Sequence, residues 1–419
     1  MEFRQHKLDN GLEIIAECNP QAYSTALGFF VKAGSRDETD QLNGVSHFLE
    51  HMVFKGTPTR SAADVNRELD EIGSMSNAFT TEEQTVYYAA FLPEYQSQAV
   101  ALLSDILRPS LREEDFAMEK KVILEEIAKY DDQPPYGAHD RCMVAHFQSH
   151  PLGRIVLGST QSVSALTRQQ MLDYFRSRYS PSNIVVALTG RVDFPRLVEQ
   201  LDRCCGAWEP FEAPRQILPA ADHQGLEVYY KESSVQQYIV QIANGPAVED
   251  DHRYAARVLG TVLGDDSGSR MFWELLDTGL AESAALGSYE FQGTGLFMTY
   301  LSCAPEDTQA NLDTVRRIIE QAERDGVTDE ELRQAKSKIL SHLVLQSERP
   351  ANRLFSVGNN WLQHRVYRTV RQTMDRYQQI TRDDVHAILQ RYPLTHTTTV
   401  TVGPQTEVSG IAARPLPAA

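Results

Sequence analysis

The order of apolar and polar residues in the first ninety positions predicts β-strands separated by amphipathic helices. Residues 6–8 and 12–16 alternate as the two arms of a β-hairpin, with an Asp9-Asn10-Gly11 turn between them. Four further elements follow from the same reading: a strand at 26–31, a helix at 62–72, and a strand pair at 75–80 and 85–91. Helical periodicity then dominates from residue 93 to about residue 150.

One pattern near the middle of the chain recurs close to its end. The first copy begins at Leu166-Thr-Arg-Gln-Gln-Met, continues as a helix to Tyr179 and ends in a strand. The second copy begins at Ile380-Thr-Arg-Asp-Asp-Val, continues as a helix to Tyr392 and also ends in a strand. The offset is 214 residues at the first pair and 213 at the second. This self-similarity predicts an α+β fold with two homologous domains, related by internal duplication, each a mostly antiparallel sheet packed with helices.

The duplication places the domain boundaries. We expect a first domain at 1–212, a proline-punctuated linker at 213–224, a homologous domain at 225–408 and a disordered Ala/Pro-rich tail at 409–419.

Composition narrows the classes of function. A formal net charge of −17 argues against a nucleic-acid or anionic-membrane surface, because phosphate binding needs clustered Lys and Arg. The 42% hydrophobic share is that of a globular protein, and no apolar run reaches the length of a membrane span. The five cysteines show no metal or redox spacing. We therefore expect a soluble, cytoplasmic protein.

Residues 45–53 predict a helix with two different faces. Its apolar stripe consists of Val45, Phe48, Leu49, Met52 and Val53. His47, Glu50 and His51 project from the opposite side, where the two imidazoles lie only about 40° apart around the axis. They could bind one Zn²⁺, with Glu50 as the base on its water, and the order His-x-x-Glu-His is the reverse of the usual zinc-protease motif. The alternative is a solvated helix face that carries two histidines by chance.

A second helix, at 112–130, offers a third ligand. Its apolar stripe is predicted to contain Phe116, Ile123, Ile127 and Tyr130. Glu119 and Glu126 border this stripe, about 20° apart, whereas Glu125 points away. Buried carboxylates need a partner or a metal, so Glu126 is a candidate ligand. The alternative is ion pairing with Lys120, Lys121 or Lys129.

Together these segments resemble the pitrilysin/insulinase family of zinc metallopeptidases, in particular its short bacterial relatives of the processing-peptidase type. The matching stretches are His47-Phe-Leu-Glu-His51 followed by Met-Val-Phe-Lys-Gly-Thr, Asn77-Ala-Phe-Thr80 with Glu83-x-Thr85-x-Tyr87-Tyr88, Glu119-Lys-Lys-Val-Ile-Leu-Glu-Glu126, His150-Pro-Leu-Gly153 and Tyr179-Ser-Pro-Ser-Asn183.

The resemblance implies a role for each matching residue. His47, His51 and Glu126 would bind zinc, Glu50 would be the general base, and Glu119 would support the ligands from behind. Asn77, Ala78 and Phe79 would lie on an edge strand that takes the substrate as an added strand. The implied function is zinc-dependent hydrolysis of short or unfolded peptides, in a homodimer or a heterodimer with a related subunit.

The second half departs from the family pattern. Its counterpart of the pentad, Val258 to Val262, has no ligands. Active members carry an Arg and a Tyr where this chain has Leu276 and Glu282, and Arg270 or Tyr289 are possible replacements. The alternative function is therefore a non-catalytic structural or partner-binding subunit of the same fold.

Overall fold

The computed structural model describes residues 1–416, which form two compact units. Unit 1 contains Met1–Ala128, Arg154–Gln216 and Val344–Thr369. Unit 2 contains Lys129–Gly153, Ile217–Leu343 and the chain from Val370 onward. Within the described residues no helix is both long and apolar enough to cross a bilayer.

The strands, in chain order, are β1 (Glu2–Lys7), β2 (Glu13–Cys18), β3 (Thr25–Val31), β4 (Met75–Thr80), β5 (Thr85–Phe91), β6 (Ile184–Gly190), β7 (Gly225–Tyr230), β8 (Gln237–Gly245), β9 (Ser283–Phe291), β10 (Thr294–Cys303), β11 (Thr398–Gly403), β12 (Glu407–Val408), β13 (Ile411–Ala412) and β14 (Arg414–Pro415).

The α-helices are α1 (Val45–Val53), α2 (Ala62–Glu71), α3 (Gln96–Ile106), α4 (Glu113–Asp132), α5 (Ala138–Phe147), α6 (Thr160–Ala165), α7 (Arg168–Arg178), α8 (Phe194–Cys205), α9 (Arg253–Gly264), α10 (Thr308–Asp325), α11 (Asp329–Ser347), α12 (Pro350–His364), α13 (Val370–Gln379) and α14 (Arg382–Arg391).

In the described residues, five of the six strands in each sheet repeat one topology, whereas the edge strands differ, since β1 is antiparallel to β2 and β14 is parallel to β7. Over residues 1–416 the order is β1-β2-β6-β3-β5-β4 in unit 1 and β14-β7-β11-β8-β10-β9 in unit 2. In unit 1, β2 and β6 are parallel while the other neighbours are antiparallel, and β7 and β11 form the matching parallel pair in unit 2. The predicted α+β fold with an internal duplication is confirmed.

The predicted domain boundaries need one correction. The chain does pass from unit 1 to unit 2 between Gln216 and Ile217, inside the predicted linker. Each unit, however, also includes a segment from the other half, because both faces of each sheet must be covered. Every residue of β3 and β6 is buried, and α12 packs on that part of the sheet through Leu354 and Val357.

The predicted disordered tail is also wrong in part. Residues 411–412 pair with β12, and 414–415 add a short parallel strand to β7. Because Arg414 also contacts Glu227 and the Tyr229 hydroxyl, backbone and side chain together hold this segment. The last predicted tail residues, 417–419, lie outside the described part of the chain.

Candidate metal centre

The pentad lies on α1, and its two faces have different environments, as the pattern predicts. The apolar stripe from Val45 to Val53 is buried in the core of unit 1. On the other face, His47 and Glu50 are each only 9% exposed, and the rings of His47 and His51 are 4.7 Å apart between centroids. The face is therefore mostly enclosed, which argues against a solvated surface.

A carboxylate from the preceding turn caps the start of α1. Gly44 adopts a left-handed conformation with φ +93°, and no side chain of its own satisfies the first N–H groups of the helix. Instead, Glu38 accepts hydrogen bonds from the N–H groups of Gly44 and Ser46, both at 2.8 Å, and from the Asn43 amide at 3.0 Å. This buried acid fixes where the helix begins, and the sequence reading did not find it.

The structure brings Glu126 of α4 to the two histidines. Its Oε2 lies 3.9 Å from Nε2 of His47 and 3.7 Å from Nε2 of His51. One ligand atom from each of the three residues falls within 4.8 Å of the others. Tetrahedral ligands about 2 Å from a zinc ion lie roughly 3.3 Å apart, so a zinc ion bound between these three donors would draw them closer together. The donor set fits zinc.

Glu119, about two helical turns before Glu126 on the same side of α4, orients His51. Its Oε1 lies 2.9 Å from Nδ1 of His51, and its Oε2 lies 2.6 Å from Nζ of Lys55. This contact leaves Nε2 of His51 for a metal. The lysine alternatives on α4 are not needed to explain Glu119, because Lys120 donates to backbone carbonyls. Lys55 was missed as a partner, although it stands one helical turn after His51.

The helix that carries Glu119 and Glu126 differs slightly from the prediction. It spans Glu113–Asp132, and Phe116, Ile123 and Ile127 are buried as expected. Tyr130 is 55% exposed rather than part of the buried stripe. Residues 128–130 are all exposed, so the buried stripe ends at Ile127.

The two imidazoles and the Glu50 carboxylate have shifted pKa values. Burial lowers the pKa of His47 to about 4, and His51 adds to this effect. Burial also opposes the charged form of His51, but its hydrogen bond to Glu119 and the surrounding carboxylates raise the pKa overall. Burial raises the pKa of Glu50. At neutral pH His47 is therefore the uncharged imidazole that metal binding requires.

The hydroxyl of Thr80 donates a hydrogen bond of 2.6 Å to Oε2 of Glu50. Thr80 is the last residue of β4, the strand at the edge of the sheet of unit 1. The residues predicted to grip a peptide, Asn77, Ala78 and Phe79, lie on this same strand. The family resemblance implied an edge strand for these three residues but no role for Thr80, which directly follows Phe79.

In unit 2, the residues at the positions of the family's Arg and Tyr contact neighbours within the same unit. Leu276 ends a short π-helical turn and packs against the core of unit 2. Glu282 accepts a hydrogen bond from Gln236, and Arg270 is paired with Glu331 at 2.7 Å. Tyr289, on β9, is 51% exposed. Of the two possible replacements, Arg270 already has a carboxylate partner.

Comparisons with known proteins identify the family of this chain. Residues 13–160 match the sequence profile described as Insulinase (Peptidase family M16), and residues 165–339 match Peptidase M16 inactive domain. An uncharacterized zinc protease of Mycobacterium bovis is 35% identical over 392 residues, covering 92% of this chain and 89% of the relative. The chain belongs to peptidase family M16.

Solved structures extend the M16 fold over nearly the whole chain. A protease from Helicobacter pylori superposes with a TM-score of 0.90 at 20% identity, covering 96% of this M16 chain and 99% of that one. A chain of Complex III2 from Candida albicans superposes with a TM-score of 0.83 at 18% identity, covering 96% of each chain. At such identities these likenesses concern the fold alone. Of the two matching profiles, the one over residues 165–339 is the one described as an inactive domain.

Proposed function

We propose that this chain is a zinc-dependent endopeptidase that hydrolyses short or unfolded peptides. The observation that carries the proposal is the convergence of His47, His51 and Glu126 around one point, with the Glu50 carboxylate on the same helix face. A scaffold protein has no physical need for a mostly buried acid beside three potential ligands.

The side chains of this site would have distinct roles in catalysis. Bound zinc would polarise the scissile carbonyl and make a water molecule acidic near neutral pH. Glu50 would accept the proton of that water and pass it to the leaving amine nitrogen. Glu119 would keep His51 turned toward the ion. The raised pKa of Glu50 suits a group that both takes and returns a proton.

The edge strand β4 supports a preference for extended peptides. Its outer side is unpaired within the described sheet, so main-chain hydrogen bonds from Asn77, Ala78 and Phe79 would hold a substrate as an added strand. A folded protein cannot present such a strand without local unfolding, so we propose that folded proteins are poor substrates. We also propose a dimer, with a second copy or a related subunit, in the cytoplasm.

One experiment tests the peptidase. Zinc content and cleavage of a mixed peptide library are measured for wild type, Glu50→Gln, Glu126→Gln and the control Glu125→Gln, which alters an exposed acid on the same helix. We expect about one zinc per chain in wild type and in the control, with cleavage. Glu50→Gln should keep zinc and lose cleavage by about 10²- to 10⁴-fold, and Glu126→Gln should lose zinc.

The second candidate is a non-catalytic subunit that keeps the fold. Leu276 and Glu282, where active relatives carry Arg and Tyr, favour it, because a missing donor to the substrate carbonyl costs transition-state stabilisation. The fold shared with a chain of Complex III2 is compatible with such a role. Equal, negligible cleavage by wild type and Glu50→Gln, with a candidate partner subunit present or absent, would reject the peptidase in favour of this alternative.

A further inference from the structure

Thr80 touches the proposed general base directly. Its Oγ1 donates to Oε2 of Glu50 at 2.6 Å, a short charge-assisted hydrogen bond to a carboxylate that is only 9% exposed. We propose that Thr80 is a positioning residue, which fixes the Glu50 carboxylate so that Oε1 is left to exchange the proton with the reacting water. This inference rests on the proposed function, in which Glu50 is the base.

The Glu50 carboxylate is the nearer of two acceptors for the hydrogen of the Thr80 hydroxyl. Thr85 lies directly across the hairpin, with its hydroxyl 3.4 Å from that of Thr80. The Thr85 hydroxyl donates to the carbonyl of Ala33 at 2.9 Å, so its own hydrogen is committed elsewhere. Thr80 is therefore the donor, and Oε2 of Glu50 at 2.6 Å is a much nearer acceptor than the Thr85 hydroxyl oxygen at 3.4 Å.

The turn that follows Thr80 is anchored in the interior of unit 1. Thr81 and Gln84 close the turn with a backbone hydrogen bond of 2.8 Å. Glu83 in this turn pairs with Arg36 at 2.8 Å, and its carbonyl accepts from Arg215 at 2.6 Å. Because these contacts are buried, the strand end cannot shift without breaking them. The Thr80 hydroxyl is therefore held in place before any substrate binds.

The same strand serves the peptide and the base. Side chains alternate along β4, so that Ala78 packs on the core shared with α1 while Phe79 packs near Phe355 of α12, 5.8 Å between ring centroids. Thr80 is two residues after Ala78 and faces the same side, toward Glu50. A peptide added to the free edge of β4 would thus be aligned in one rigid frame with the Glu50 carboxylate.

The test removes the hydroxyl while keeping the shape. Thr80→Val deletes the donor, Thr80→Ser retains it, and Thr401→Val is the control, since the buried Thr401 hydroxyl meets no hydrogen-bond partner among the described residues. We expect Thr80→Val to lower kcat by about 10- to 100-fold, with KM and zinc affinity within about threefold of wild type. Thr80→Ser should recover most of the loss, and the control should not change kcat.

Crystal structures of the zinc-loaded wild type and Thr80→Val provide a readout that does not depend on activity. We expect the Glu50 side chain to occupy one position on Thr80 in wild type and to move in the variant. An unchanged kcat, a serine variant as impaired as the valine variant, or an unmoved Glu50 would overturn the inference. If wild type cleaves no peptide, the proposed function fails, and the position of Glu50 still decides the role of Thr80.

Discussion

At the scale of single residues, the candidate metal centre depends on a chain of contacts behind its ligands. His51 is held by Glu119, and Glu119 is held in turn by Lys55 at 2.6 Å. Burial raises the pKa of Glu119, but the hydrogen bonds from His51 and Lys55 lower it overall, so the carboxylate stays ionised. An anionic partner on Nδ1 makes Nε2 of His51 a better electron donor to a metal.

This chain of contacts predicts graded losses of zinc affinity. Glu119→Gln should weaken zinc binding by about 10- to 100-fold, since a neutral amide polarises His51 less. Lys55→Met should weaken it by less, because Glu119 keeps its contact with His51. Competition with a chromogenic chelator measures both, and Lys121→Met, which alters an exposed lysine on α4, is the control. A loss from Lys55→Met that persists undiminished in a Glu119→Gln background would contradict the shared contact.

At the scale of elements, the sequence predicts the features that follow from which side chains are buried. The strand bounds 75–80 and 85–91 agree with β4 and β5, and the stripe from Val45 to Val53 is buried as expected. Periodicity could not reveal Glu38, because this acid lies six residues before the N-cap residue Gly44, outside the usual capping positions. Nor could it reveal Thr80, whose importance depends on which helix faces β4.

The cap on α1 predicts a stability change that propagates to the metal site. Glu38→Gln replaces one acceptor oxygen by an amide donor, so either Gly44 N–H or Ser46 N–H loses its partner inside the protein. We expect the free energy of unfolding of the metal-free protein to fall by about 1–3 kcal/mol, measured by urea denaturation. Zinc affinity should fall as well, because α1 carries both histidines. The exposed Glu232→Gln is the control, and an equal response of the two variants would contradict the capping role.

At the scale of the whole molecule, the sequence predicts the internal duplication but not the exchange of segments, by which each unit includes a helix from the other half of the chain. The repeat from Leu166 to Tyr179 and from Ile380 to Tyr392 fixes two copies of one sheet topology. Amphipathic periodicity shows that α5 and α12 each have an apolar face, but not which sheet that face covers. In the structure, α12 covers the sheet of unit 1 and α5 packs on the sheet of unit 2.

This exchange predicts that the two halves of the chain depend on each other to fold. Fragment 1–216 lacks the cover for Phe30, and the buried ion pair between Glu17 and Arg353, 2.6 Å at its shortest, is split between the fragments. Breaking a buried pair leaves an uncompensated charge, which is strongly destabilising. We expect fragments 1–216 and 217–419 to be aggregation-prone when expressed singly and to copurify as a one-to-one complex when coexpressed.

A substitution in the exchanged helix sharpens this test. Gly358 lies against the Phe30 ring so closely that an added methyl group would overlap it. Although alanine usually stabilises a helix interior by about 0.5–1 kcal/mol over glycine, Gly358→Ala should here weaken the coexpressed complex through overpacking. Phe30→Leu in the partner fragment should restore part of the association by making room. Two fragments that are each monomeric and cooperatively folded alone, and that ignore Gly358→Ala, would show that the halves are independent domains after all.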